Sequence, residues 1–386
     1  MSKRRKNPLY FTNLHLENWR NFTHVDTDLQ RRMFLVGPNA SGKSNFLDVF
    51  RFLHDIASVG GGFIAAVNKP YRGGFAKLKS LMARHHADVG IRVCVGDDKS
   101  PRKWEYELRF SQEQFSSPKI KKERVVREGK ELLHRPSKED EKDLLRLTQT
   151  YLEQVSMNQE FRELAEFFAS VKYLHVVPQV LRNLIYGSTS EDPFGGGLLR
   201  RIADQPEEQI QERFALIRDA LRAAVPQLQE LEFWTEPIGK KPHLRAKYEH
   251  LQDTWQLEDQ LSDGTLRLIG LLWALLDGQG PLLLEEPELS LHPGVTRYLP
   301  YLFSGIQART GRQVMISTHS PDLIHEEGIG LNEVLVFQPS QEGTTVQPAQ
   351  DFGQVKVLVQ SGLSLDEAVM PPTAPREAMQ LAKVGD

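Results

Sequence analysis

Eight residues near the amino terminus, GPNASGKS at 37–44, have the types and the spacing that phosphate binding requires. In the pattern G-x-x-x-x-G-K-[ST], the glycines let the backbone fold so that successive N–H groups point at phosphate oxygens. Lys43 adds a positive charge for the β- and γ-phosphates, and the Ser44 hydroxyl can ligate Mg²⁺. A structural glycine turn is the alternative. The residues predicted to bind the phosphates are Gly37, Pro38, Asn39, Ala40, Ser41, Gly42, Lys43 and Ser44.

Two adjacent glutamates follow an apolar strand in PLLLEEP at 281–287. A buried strand that ends in Glu285 would place a carboxylate in the Mg²⁺ shell, and Glu286 beside it would position and activate the attacking water. Acidic pairs at strand ends are also common on protein surfaces, so this prediction depends on the phosphate loop. His319 ends another apolar strand, in VMISTHSP, from which it would reach a γ-phosphate and the neighbouring water. A lone histidine is more often structural, so this prediction also depends on the other motifs.

A polar helix start, LSDGTLRLIG at 261–270, precedes an apolar run that continues as LLWALLD. Ser262 and the N–H groups near Gly264 form a helix N-terminus with unsatisfied donors, which favours an anion. We expect Asp263 to cap the helix rather than to point its carboxylate at that anion. Because residues 37–44 already supply one phosphate site, the second is explained if it meets the γ-phosphate held by another protomer. An ordinary N-cap before a core helix explains the same residues equally well.

The segments around these motifs indicate an α/β fold. A short apolar strand precedes 37–44, and a helical pattern, NFLDVFRFLHDIA, follows. From 281 onward strands alternate with helices, which implies a parallel sheet with crossover helices. Short alternating runs between about 88 and 135 indicate an antiparallel meander. We expect helices from 137 to 170, a strand in VKYLHVVPQVLRN, and a strand pair in HLRAKYEH and TWQLEDQ.

The composition limits the class of protein. With 386 residues and a net charge of −3, the chain can form two or three domains, or one large domain with insertions. Its single cysteine, Cys94, excludes an intramolecular disulfide and fits a reduced compartment. The sequence has no apolar run long enough to cross a membrane and no signal-peptide core, so we expect a cytoplasmic protein without a membrane partner. The near-neutral charge argues neither for nor against nucleic acid.

In their types and their order, these motifs resemble those of ABC-type ATPases of the SMC, RecF and OLD group. LHLENWRNF is similar to the strand-and-arginine opening of that group, GPNASGKSNFLDVFRFL to its Walker A motif and helix, and LSDGT to its signature motif. LLLEEPELSLHP is similar to its Walker B motif and D-loop, and STHSP to its switch histidine. The resemblance implies an ABC-ATPase head: a parallel core sheet flanked by helices, with an antiparallel β meander and a helical insertion.

The same resemblance implies Mg²⁺-dependent ATP hydrolysis in a homodimer that sandwiches ATP. Lys43 and Glu286 of one subunit would then face Ser262 of the other. Arg20 would lie near the phosphates, and Gln179 would sense Mg²⁺ and water; the alternatives are a surface arginine and an ordinary loop residue. The chain departs from the group at its first Walker B carboxylate, which is usually Asp and is here a longer Glu.

The sequence has neither the long heptad pattern of SMC-like members nor the acidic clusters of a C-terminal nuclease domain. We therefore expect a lone ATPase head that works with DNA and with a separately encoded nuclease or effector. The expected parts are an N-terminal ATPase lobe with Walker A (1–87), an antiparallel meander (88–136), a helical insertion with a Gly-rich loop (137–235), a C-terminal ATPase lobe with signature, Walker B and switch histidine (236–350), and a C-terminal tail (351–386).

The basic stretch SPKIKKERVVREGK is a candidate contact for DNA phosphates, with a solvated hairpin face as the alternative. Two other classes of function stay open. One is the nucleotide-binding subunit of a transporter, which the meander and the LSDGT signature disfavour. The other is a regulatory scaffold that binds ATP without turnover, which Lys43, Glu286 and His319 disfavour.

Overall fold

The computed structural model describes residues 8–83, 87–113, 116–182, 194–251 and 254–373. Contacts divide the chain into two compact units. The first unit comprises Met1–Lys172, Gln279–Leu283 and Gln307–Asp386, and the second comprises Tyr173–Gly278 and Leu284–Ile306. Most of the predicted Gly-rich loop and residues 374–386 of the predicted tail lie outside the described residues.

The described strands and helices have the following bounds. The strands are β1 Tyr10–Trp19, β2 Phe22–Asp28, β3 Arg32–Val36, β4 Val89–Gly96, β5 Trp104–Ser111, β6 Lys119–Arg127, β7 Lys130–Arg135, β8 Lys172–Leu174, β9 Leu228–Thr235, β10 Pro242–Tyr248, β11 Gln256–Leu257, β12 Leu282–Glu285, β13 Val314–Thr318, β14 Val334–Ser340 and β15 Gly343–Pro348. The helices are α1 Lys43–Ala57, α2 Phe63–Val67, α3 Phe75–Leu78, α4 Lys138–Lys142, α5 Arg162–Ala169, α6 Pro178–Arg182, α7 Leu198–Ala203, α8 Glu207–Ala224, α9 Asp263–Leu276, α10 Pro293–Thr296, α11 Leu299–Thr310, α12 Pro321–Ile324, α13 Gly353–Gln360 and α14 Leu365–Thr373.

The sheet that carries the phosphate loop has the order β15-β14-β3-β13-β12-β8. β3 pairs in parallel with both β13 and β14, and β15 closes that edge as an antiparallel partner of β14. Every residue of β3 and β13 is buried, as expected for strands covered on both faces. Because Val36 pairs with Thr318, the segments that follow β3 and β13 leave the sheet at the same edge. The predicted parallel core is confirmed.

A second sheet in the first unit is antiparallel throughout, with the order β2-β1-β4-β5-β6-β7. The predicted meander supplies β4 to β7, and β1 and β2 extend it. Helix α1 packs against this sheet through aromatic rings. The Phe50 ring centroid lies 4.6 Å from that of Phe11, and the Phe52 centroid lies 5.3 Å from that of Trp19. The position of α1 is therefore set by the antiparallel sheet as well as by β3.

The helices predicted from 137 to 170 are much shorter: the α-helices there are α4 and α5, and two short 3₁₀ helices, Leu144–Thr148 and Gln159–Phe161, lie between them. The reason is a buried ion pair between Arg135 of β7 and Glu123 of β6, joined at 2.9 Å. The Glu123 carboxylate accepts hydrogen bonds from the backbone N–H groups of Tyr151 and Leu152. Arg135 donates to two backbone carbonyls of the same segment. The N–H groups of Tyr151 and Leu152 donate to Glu123 and are therefore not available to bond along a helix.

The predicted strand in VKYLHVVPQVLRN is also only partly formed. β8 ends at Leu174, and α6 begins at Pro178. Proline is favoured at the first position of a helix, because its ring presets φ and the N–H that it lacks has no helical partner there. The second half of that prediction is therefore wrong.

The second unit contains helices α6 to α10 and an antiparallel sheet of order β11-β10-β9. β10 and β11 are the predicted strand pair, while β9 was not predicted. Helix α9 is buried along most of its length and packs against α6 and α8. The Trp273 ring of α9 lies 5.8 Å from that of Phe214 on α8, centroid to centroid. Among the described residues, no helix has the length and apolar character needed to cross a membrane.

We predict that Glu123→Ala lowers the free energy of unfolding by about 3–5 kcal/mol, because it leaves the Arg135 charge buried without that partner. Urea denaturation of the full chain measures this loss. Glu113→Ala is the control, since the Glu113 side chain is 79% exposed. We expect the control to change stability by no more than about 0.5 kcal/mol. Equal losses in the two variants would contradict this account of residues 143–152.

Candidate functional site

The phosphate loop connects β3 to α1, and at two of its positions neighbouring atoms leave room only for glycine. Gly42 has a φ of 95°, a left-handed conformation that glycine adopts without strain. A Cβ at Gly42 would lie 2.1 Å from Asn21 Nδ2, and one at Gly37 would lie 2.7 Å from Phe337 Cβ. Neither position has room for a side chain. The loop backbone is therefore held against its neighbours at both ends.

Lys43 is the first residue of α1 and is only 6% exposed. Its ammonium donates to the carbonyl oxygens of Gly37 at 2.9 Å and Pro38 at 3.1 Å, so it lies across the loop. Ser44 follows it, and the first turn of α1 contains no acidic residue. An ammonium, a hydroxyl and a helix N-terminus without opposing carboxylates are the donor set that a polyphosphate and its Mg²⁺ require.

The turn between β1 and β2 supplies a residue that the sequence analysis missed. Asn21 Nδ2 donates to Ser41 O at 3.0 Å and to Thr344 Oγ1 at 2.8 Å. Its Oδ1 accepts from Asn45 Nδ2 at 2.8 Å. Asn21 thus joins the phosphate loop, α1 and β15. Its position next to Arg20, in the segment already singled out, is the only sequence signal that points to it.

Arg20 contacts α1 through an ion pair with Asp48. It donates to Asp48 at 2.9 Å, and Arg72 binds the same carboxylate at 2.8 Å. Arg72 also binds Asp55 at 2.6 Å and is 1% exposed. Burial acts to lower the pKa of Arg72, but the neighbouring carboxylates outweigh it and raise the pKa. These pairs position the helix that carries Lys43, and a phosphate contact by Arg20 stays a prediction.

A cavity of about 570 Å³ brings His319 together with the start of the phosphate loop. Helix α14, from which the sequence analysis predicted no site residue, forms its other wall. Asp366 of α14 is held by His325 at 3.0 Å. Burial acts to raise the pKa of Asp366, but hydrogen bonds from Ser364 and His325 lower it. The residues that line the cavity are Gly37, Pro38, Asn39, His319, Pro321, Asp366, Glu367, Met370, Pro371 and Thr373.

In the second unit, Glu285 is the last residue of β12. The Tyr173 hydroxyl donates to Glu285 Oε2, and His175 Nδ1 lies 3.1 Å from the Glu285 carbonyl oxygen. Glu286 follows with a φ of 44°, which turns the chain sharply after the strand. Among the described residues, no group of three or more His, Cys, Asp or Glu residues could hold a metal.

The N-terminus of α9 is capped by Ser262, whose Oγ accepts from the Thr265 N–H at 3.2 Å. The prediction that Asp263 caps this helix is therefore wrong. Asp263 is the first helical residue, and its carboxylate binds Arg182 at 2.6 Å and the Gln179 amide at 2.9 Å. At Gly264 a Cβ would lie 2.8 Å from the Ser290 carbonyl oxygen, so glycine is required there.

Arg267, one turn further along α9, is a second residue that the sequence analysis missed. It is 5% exposed, and its Nε and NH1 have no hydrogen-bond partner among the described residues. Burial lowers the pKa of Arg267, and the carboxylates of Glu288, Asp263 and Glu286 oppose that shift. An arginine inside an otherwise apolar helical run was the available signal. It places a positive charge beside the glutamates that follow β12.

The chain matches one protein family over residues 32–325, more than half of its length. That family carries the description "AAA domain, putative AbiEii toxin, Type IV TA system". The chain belongs to this family. Among curated proteins, none matches this AAA-domain chain.

Solved SMC heads are similar to this AAA-domain chain. An Smc head bound to the C-winged helix domain of ScpA has 14% sequence identity and a TM-score of 0.51, with 88% of this chain and 97% of the other covered. This similarity shows that the fold is that of an SMC ATPase head. The SMC head domain from Thermotoga maritima has 14% identity, a TM-score of 0.47 and coverage of 88% and 98%. An Smc head from Pyrococcus furiosus, bound to the C-terminal domain of ScpA, has 12% identity, a TM-score of 0.49 and coverage of 98% and 100%.

For this AAA-family chain, we predict that Asn21→Ala weakens ATP binding about tenfold, the equivalent of one lost hydrogen bond to the loop. Titration with a fluorescent ATP analogue measures the affinity. Asn68→Ala is the control, because Asn68 is exposed. Unchanged affinity in Asn21→Ala would show that the hydrogen bonds of Asn21 to Ser41 and Asn45 do not keep the phosphate loop in the conformation that binds nucleotide.

Proposed function

We propose that this chain is a Mg²⁺-dependent ATPase that forms a homodimer with ATP bound at two composite sites. The observation that carries the proposal is the phosphate loop, with the Lys43 ammonium on the carbonyls of Gly37 and Pro38. Membership of the AAA family and the SMC-head fold support the same activity.

Each site residue has a role in this proposal. The loop N–H groups and Lys43 hold the β- and γ-phosphates, and His319 contacts the γ-phosphate from the cavity that it shares with the loop. Ser44 and Glu285 would be the ligands for Mg²⁺, with Gln179 as a third candidate, and the ion would supply charge neutralisation for the transferred phosphoryl group. Glu286 orients the attacking water and takes its proton.

The proposed dimer follows from the second anion site. Each chain has one phosphate loop and one helix N-terminus that begins at Ser262. α9 has 14 residues, so its N-terminus carries the partial positive charge of a full helix. One nucleotide held by the loop of one copy would receive Ser262 and the Gly264 N–H from the other. The alternative, an ordinary N-cap, accounts for Ser262, and the nearby Ser290 carbonyl oxygen accounts for Gly264, so the proposed dimer needs the experiment below.

We further propose that this dimerisation gates a DNA clamp or a separately encoded nuclease or effector, in DNA repair or anti-phage defence. The similar Smc head is bound to a domain of another protein, ScpA, which supports a protein partner. The support for DNA at the predicted basic stretch is weaker. Lys122 pairs with Glu107 at 2.8 Å, and Lys121 lies 3.9 Å from Glu113, so both cations already have carboxylates nearby. These contacts favour the solvated-hairpin alternative.

The proposed dimer predicts that Glu286→Gln, which binds ATP but cannot activate water, accumulates as a dimer in MgATP. Light scattering would show the mass double on addition of MgATP and stay at the monomer value without it. A Lys43→Ala change in the same background is the control and should stay monomeric, because it removes the charge that holds the phosphates. A monomer under all conditions, with ATP bound, would contradict the composite site.

For the basic stretch, we predict that charge reversal at Lys121 and Lys122 leaves the salt dependence of duplex DNA binding unchanged, because these lysines already have carboxylates nearby. Filter binding at several salt concentrations measures the slope. A slope lower by about two, one for each lysine, would instead assign both to DNA phosphates.

A further inference from the structure

Asp263 is an unexpected residue at a helix N-terminus that is proposed to receive a phosphate. Its carboxylate lies in the first turn of α9, directly after Ser262. The helix N-terminus attracts the γ-phosphate of the other copy only over a short distance. A free carboxylate at the same place would repel that phosphate. The proposed site therefore requires that the charge of Asp263 be neutralised.

Arg182, at the end of α6, provides that neutralisation. Its NH2 group donates to Asp263 Oδ1 at 2.6 Å and to the Leu261 carbonyl oxygen at 2.6 Å. A single guanidinium nitrogen of Arg182 thus binds both neighbours of Ser262: the backbone carbonyl of Leu261 before it and the carboxylate of Asp263 after it. Gln179, one turn earlier on α6, donates to Asp263 Oδ2 at 2.9 Å. Both carboxylate oxygens are bonded to α6.

We propose that Arg182 is a positioning residue for the composite site: it neutralises Asp263 and holds residues 261–263 so that Ser262 and the following N–H groups can bind the γ-phosphate of a second copy. This inference rests on the proposed function. It also gives Gln179 a role, as the second hydrogen-bond donor to the same carboxylate.

The exposure of the pair separates this role from a structural one. The Arg182 side chain is 24% exposed and that of Asp263 is 34% exposed. Ion pairs with that much solvent access contribute little to folding stability. Loss of Arg182 should therefore change the melting temperature only slightly. It should strongly weaken the binding of an anion at the N-terminus of α9, because the Asp263 carboxylate there would no longer be neutralised.

The test compares Arg182→Ala, Asp263→Asn and the double variant Arg182→Ala/Asp263→Asn in the full-length Glu286→Gln chain. ATP-dependent dimerisation is measured by light scattering, and ATP binding to the monomer by fluorescence titration. We expect Arg182→Ala to raise the dimer dissociation constant at least about tenfold, with ATP affinity changed by no more than about twofold. Asp263→Asn should require no more protein for dimerisation than the parent.

The double variant decides the mechanism. If Arg182 acts by neutralising Asp263, removal of both charges should recover dimerisation to within about threefold of the parent, so the two substitutions are not additive. Arg222→Ala is the control, because Arg222 is an exposed arginine that, like Arg182, donates to a backbone carbonyl, that of Gln229. It should dimerise like the parent, and melting temperatures confirm that all variants fold.

Two results would overturn the inference while leaving the composite site intact. One is an Arg182→Ala chain that dimerises like the parent. The other is a double variant as impaired as Arg182→Ala alone, which would show that Arg182 does not act through the charge of Asp263. A parent chain that binds ATP and never dimerises is a distinguishable outcome, which removes the proposed dimer and this inference together.

Discussion

The arrangement of the phosphate loop depends on the space that Gly42 leaves open. At that position the backbone passes so close to Asn21 that no side chain fits, and the Asn21 amide can therefore bond the loop carbonyl of Ser41. Because Asn21 sits in the turn between β1 and β2, the antiparallel sheet reaches the loop that ends the parallel strand β3. The same close approach sets where α1 begins, and with it the position of Lys43.

Charge pairing keeps α1 in that position. Asp48 and Asp55 extend from α1 to Arg20 and Arg72, and the buried guanidinium of Arg72 binds both carboxylates. Breaking one partner of such a buried group costs far more than the pair contributes when intact, because a charge is left without compensation. The helix that presents the lysine is thus held by rigid aromatic packing on one side and by these ion pairs on another. A preorganised loop follows from both.

The features that the sequence predicted correctly are those encoded locally. The strand, loop and helix around Lys43 lie within one short stretch, and β12 and β13 each show an apolar run that ends in a polar residue. What the sequence did not predict depends on how distant segments come together: Asn21 bonds Thr344, Asp263 pairs with Arg182, and His319 lines one cavity with α14. The shortened helices between 137 and 170 have the same cause, since Glu123 of β6 binds the backbone that would otherwise continue them. The sequence shows which residues are polar, but it does not show which distant group will form a hydrogen bond or an ion pair with each of them.

The central claim, that one nucleotide is bound by two copies of the chain, is tested most directly by mixing two inactive variants. The Lys43→Ala variant keeps the α9 N-terminus but loses the charge that holds the phosphates. The Ser262→Arg variant keeps the phosphate loop but blocks the N-terminus of α9. Each variant alone should show no ATP turnover above background. An equimolar mixture should recover turnover, because a heterodimer contains one intact composite site. A mixture as inactive as its components, while Ser262→Arg still binds ATP, would contradict the composite site and leave a phosphate loop that works within a single chain.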